Sequence, residues 1–176
     1  MENKPDGIEQ YFSEAAHNPA SGKIGSVVIG RAPFTCRQHL LIESASRRCD
    51  FLYVFVVSDK NDACSSGESL IAARTFASCI PNAGVYETGD YLIPCSSFPT
   101  YFIKDKSEVP AIKARLDSAV FAGRFAPILN ISTLFMFSEP FPEVPAAYIR
   151  ELAAGLRAGG IEIAEIPGGC HAAAFI

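Results

Sequence analysis

Ile24-Gly25-Ser26-Val27-Val28-Ile29-Gly30-Arg31-Ala32-Pro33-Phe34-Thr35-Cys36-Arg37-Gln38-His39 is the stretch on which the fold reading turns. Ile24–Ile29 is an apolar run of strand length. A short turn follows, with Pro33 inside it, and Arg37–Arg48 then carries a helix-like pattern with Leu41, Ile42 and Ala45 on one side. A strand that feeds a helix through a short turn is the opening unit of an open α/β sheet. Such sheets receive their ligands at the carboxyl ends of the strands.

The same alternation continues along the chain. Phe51–Val57 is apolar on both faces, as buried parallel strands are. Glu68–Ser78 reads as a helix and Gly84–Glu87 as a short strand. Ala111–Leu129 reads as helix with a break near Pro127, Leu134–Phe137 as a strand, Val144–Ala158 as a helix and Ile161–Ile166 as a last strand. Alternating β and α segments predict an α/β fold with a Rossmann-like parallel sheet of about five strands and helices on both faces. Ile8, Tyr11, Phe12 and Ala15 recur at helical spacing before a turn at Asn18–Gly22. Residues 1–22 therefore read as a peripheral helix and linker, and 23–176 as one domain.

Composition narrows the class. Of the 176 residues 49% are hydrophobic, which supports a packed core. The net charge of −4 argues against broad binding to nucleic acid or to an anionic membrane. No apolar run reaches the length of a membrane span, and the polar, acidic start is unlike a signal peptide. The six cysteines, at 36, 49, 64, 79, 95 and 170, show no CxxC spacing. A cytoplasmic protein with reduced thiols is the expectation. Cys36 with His39, and Cys170 with His171, offer two metal ligands each, too few for a site, so no metal is expected. A Cys36 nucleophile activated by His39 is a further chemical reading, set against a small packed thiol.

Several segments resemble the citrate lyase ligase family of HxGH nucleotidyltransferases. Pro33-Phe34-Thr35 matches its Asn-Pro-Phe-Thr-x-Gly-His motif, with Ala32, Arg37 and Gln38 in place of the Asn, Gly and His. Lys23–Val28, Leu41-Ile42-Glu43, Cys49-Asp50, Phe55–Ser58 and Pro81-Asn82 match further family segments. So do Gly89–Ile93 with Phe98–Asp105, Ser138-Glu139-Pro140-Phe141 and Glu165-Ile166-Pro167. The resemblance implies a fold of nucleotidyltransferase type. It implies ATP, with magnesium, and acetate as substrates, an acetyl-adenylate route, and the acyl carrier subunit of citrate lyase as partner. An acetyltransferase-like domain that usually precedes the family's nucleotidyltransferase domain has no counterpart in these residues.

By the same resemblance, Pro33, Phe34, Thr35 and Arg37 are the candidate nucleotide-binding residues. Thr35, Gln38 at the family His position, and His39 are the candidate catalytic ones. Gln38 donates hydrogen bonds but carries no charge. Arg37 either fills the place of the nucleotide or supplies it with positive charge. His39 either flanks the helix, turned about 100° from Gln38, or enters the site by a register shift. The family's second phosphate signature, a Ser- and Arg-bearing segment after the last strand, is replaced by Gly168-Gly169-Cys170-His171. Family cations fall at Ser69 and Cys95, and a family glycine falls at Phe137. The expectation is a citrate lyase ligase domain with impaired catalysis, a pseudoenzyme. The alternative is a non-catalytic nucleotidyltransferase-like module that binds a partner or regulates.

Overall fold

A computed structural model describes residues 7–13, 21–30, 34–57, 63–92, 98–139 and 144–168. Five strands form one parallel sheet: β1 (Ile24–Ile29), β2 (Phe51–Val56), β3 (Ala83–Glu87), β4 (Thr133–Phe137) and β5 (Glu162–Ile166). Their order is β3-β2-β1-β4-β5. The Rossmann-like α/β reading therefore holds.

Strand alternation divides the core. From β2, Leu52, Val54 and Val56 face one side, with Leu41, Ile42 and Ala45 of α2 (Cys36–Ser46) and Ala73 of α3 (Ala63–Ala77). Tyr53 and Phe55 face the other. There they meet residues from the later helices, among them Leu156 of α6 (Ala146–Ala158). The chain moves outward in one direction through β1, β2 and β3, then returns past β1 to β4 and β5. Right-handed crossovers thus put α2 and α3 on one face, and α4 (Val109–Val120) and α6 on the opposite face.

That winding leaves one half-face, over β2 and β3, without a crossover helix. The short helix α1 (Gly7–Tyr11) fills it. Ile8 and Phe12 are each 2% exposed, and the Phe12 ring packs edge-on to Phe55, Tyr86 and Phe125. Ile8 and Phe12, within the segment expected to be peripheral, are part of the core. Its apolar spacing was visible, but the open half-face it covers is a property of the topology. Ala15 and the Asn18–Ala20 part of the turn lie outside the described residues.

The break in the long helix falls earlier than expected. Residues Phe121–Phe125 form a π-helical turn, and the Ala126 N–H donates to the Phe121 carbonyl, five residues back. α5 (Ala126–Leu129) follows, with Pro127 in its first turn. Proline lacks an N–H and crowds the carbonyl four residues before it, so a wider turn upstream relieves the clash. Asn130 then ends the helix in the left-handed region at φ 56°. Between α4 and α6 lies a buried polar cluster that the sequence reading did not single out. Lys113 pairs with Asp117, and the Tyr148 hydroxyl donates to the same carboxylate at 2.7 Å. The i,i+4 spacing of Lys113 and Asp117 was the available signal.

Candidate active site

The strand order reverses between β1 and β4, the position where open α/β sheets form a crevice. Pairing between these strands is registered at Gly25–Thr133 and Ser26–Leu134 and goes no further. Between β1 and β2 it continues to Ile29–Val56. The crevice is bordered by the first turn of α2 on one side and by Phe137, Ser138 and Glu139, at the exit of β4, on the other.

Thr35 precedes α2 with an extended backbone (φ −97°, ψ 161°), the geometry of a helix N-cap. Its N–H donates to the side-chain oxygen of Gln38 at 2.8 Å. This is the reach-back half of a capping box, with glutamine at the third helical position. Gln38 is 5% exposed, so its side chain lies folded against the cap. Thr35 and Cys36 are exposed.

His39 is elsewhere. Its ring stacks on Phe76 of α3 at 4.2 Å between centroids, with an interplanar angle of 6°, and lies 4.5 Å from the ring of Phe34. Phe34 in turn is 5.9 Å from Phe76. Phe34 and His39 are thus brought together, but around Phe76, where they help to clamp α2 onto α3.

Arg37 runs toward β4. Its guanidinium carbon is 4.6 Å from the centroid of the Phe137 ring. Its Nη2 donates to the backbone carbonyl of Glu139. A Cβ built on Gly168, just past β5, would lie 3.1 Å from the same Nη2 and 3.6 Å from the Glu139 Cβ. The Arg37 side chain therefore meets the exit of β4 and lies close to that of β5. No spacing rule pairs Arg37 with Phe137, and the sequence reading treated them separately.

Ala32, Pro33, Cys95, Pro140, Phe141, Gly169, Cys170 and His171 lie outside the described residues. Ser69 is buried in α3. Among the described residues no three His, Cys, Asp or Glu side chains converge, and no described helix is long and apolar enough to cross a membrane.

Residues 24–176 match the family model of the citrate lyase ligase C-terminal domain. A citrate (pro-3S)-lyase ligase of Escherichia coli is 30% identical over 153 residues, which are 86% of this chain and 44% of that protein. The corresponding ligase of Klebsiella pneumoniae is 29% identical over 171 residues, 94% of this chain and 50% of its own length. That of Haemophilus influenzae is 30% identical over 150 residues, 82% and 45%. The chain spans about half the length of these curated relatives.

Proposed function

The chain belongs to the citrate lyase ligase C-terminal domain family, and on that premise we propose that it is a member impaired in adenylyl transfer. The observation that carries this reading is the Gln38–Thr35 hydrogen bond. Transfer of an adenylyl group develops negative charge on the α-phosphate and on the departing pyrophosphate. Cations or well-aimed donors must meet that charge. At the first strand-to-helix turn, Gln38 is neutral, buried and bonded to the helix cap. The imidazole of His39 is stacked on Phe76. The exposed Thr35 and the first amides of α2 remain to face a phosphate. This set does not fit a charge-stabilising transfer site.

Family membership supports ATP with magnesium and acetate as the ligands to test, and the acyl carrier subunit of citrate lyase as the partner to test. Removing one electrostatic stabiliser of a transition state lowers rates by about 10² to 10³. The test is acetate-dependent exchange of labelled pyrophosphate into ATP. The purified chain is expected to show none, and Gln38→His is expected not to restore it, because the buried cap site would receive the new ring. Robust exchange by the unmodified chain would overturn the reading.

A further inference from the structure

We propose that Arg37 is a built-in strap that closes the crevice between β1 and β4 and so excludes a nucleotide from it. The inference rests on the reading above that this crevice is of nucleotide-binding type. Its geometric basis is independent of Gln38.

Phe137 and Glu139 hold the guanidinium, and the Gly168 backbone lies beside it. Phe137 lies beneath it at a cation–π distance of 4.6 Å. Its Nη2 is bonded to the Glu139 carbonyl. The backbone of Gly168 approaches so closely that a Cβ there would sit 3.1 Å from Nη2. The two contacts come from the exit of β4, with the exit of β5 close by at Gly168, while Arg37 itself follows β1. The side chain thus joins both rims of the crevice at the edge where a ligand enters an open α/β sheet.

The alternative role for an arginine here is that of a phosphate ligand. Such an arginine presents its fork of N–H groups to the ligand, two at a time. In this protein one face of the guanidinium is covered by a ring and Nη2 is turned to a backbone carbonyl. An incoming phosphate would have to break the stack and the hydrogen bond, and the Gly168 backbone crowds the swing toward β5. A side chain held on these sides acts as a closure.

The test compares ATP–magnesium binding by titration calorimetry in four full-length chains: the wild type, Arg37→Ala, Arg37→Met and Phe137→Leu. Arg37→Ala removes the strap and should bind at least about tenfold tighter than the wild type, a change of about 1.4 kcal/mol. Arg37→Met keeps the bulk but loses both guanidinium contacts, and should fall between the wild type and Arg37→Ala. Phe137→Leu keeps apolar volume in the core and frees the guanidinium, and should show a smaller gain. Circular dichroism establishes that each variant is folded. Weaker binding by Arg37→Ala would make Arg37 a phosphate ligand and overturn the proposal. Unchanged binding by a folded Arg37→Ala would overturn it equally. Pyrophosphate exchange by the wild type is scored separately. It would refute impaired catalysis, while the strap would still stand or fall on the binding ratio.

Discussion

The imidazole of His39 lies parallel to the ring of Phe76, 4.2 Å away, so the one histidine among the described residues joins two helices. Stacked aromatic pairs contribute about 0.5–1.5 kcal/mol beyond the area they bury. His39→Ala is expected to lower stability by about 1 kcal/mol in urea unfolding and to leave ATP affinity unchanged. His39→Phe should recover most of the loss. A large change in nucleotide affinity with stability intact would show that the ring serves the crevice.

Gly155 sits inside α6, where alanine would normally be the better helix former by about 1 kcal/mol. Here the sign should reverse. A Cβ at Gly155 would lie 2.1 Å from the Ser118 Oγ and 2.7 Å from its Cβ on α4. Overpacking of this kind costs about 1–3 kcal/mol. Gly155→Ala is therefore predicted to destabilise. Adding Ser118→Gly should reduce the clash, and a double-mutant cycle in denaturant would read the coupling.

The Cys49 thiol is pushed up to about 11, chiefly by burial, with a hydrogen bond from the Gly25 backbone acting in the opposite sense. Two consequences follow. At pH 8 iodoacetamide should modify Cys36 and Cys79, which are exposed, well before Cys49. Peptide mapping by mass spectrometry checks the order. The unfolded thiol ionises near pH 8.5–9, so it loses its proton before the folded one does. The stability from keeping Cys49 neutral is complete below that pH and is lost as pH rises toward about 11. Cys49→Ala should flatten this part of the pH–stability curve.

Phe12 is 2% exposed, with aromatic neighbours on β2, β3 and the π-helical turn. Phe12→Ala should cost about 3–5 kcal/mol, as for other buried phenylalanines. Binding of a hydrophobic dye to Phe55 and Tyr86 should rise with it. An effect below about 0.5 kcal/mol, the size typical of a surface substitution, would mean that α1 only rests on the sheet.

The sheet was legible because its strands are short apolar runs with helices at regular intervals. Phe51–Val56 shows this best, since burial on both faces leaves little room for polar residues. Boundaries shifted by a few residues where caps decide them: α2 starts at Cys36 because Thr35 is its cap. The site was legible only in part. Thr35, Arg37 and Gln38 lie in one run, so the sequence alone sets them together at the first turn. The Gln38 oxygen returning to the Thr35 N–H is the reach-back bond of a Thr-x-x-Gln capping box, a pattern that the family motif at the same position masks. The Arg37–Phe137 contact spans a hundred residues of sequence, and only the strand order brings it about.

The half-face filled by α1 also sets an order of events during synthesis. Ile8 and Phe12 leave the ribosome before any strand of the sheet, yet Phe55, Tyr86 and Phe125 come much later. A segment of this length cannot hold a helix alone in water. These two core residues must wait until most of the domain has emerged, with two large apolar side chains uncovered in the meantime. The interval before α1 docks is thus the stage at which the nascent chain is most open to chaperones and to aggregation.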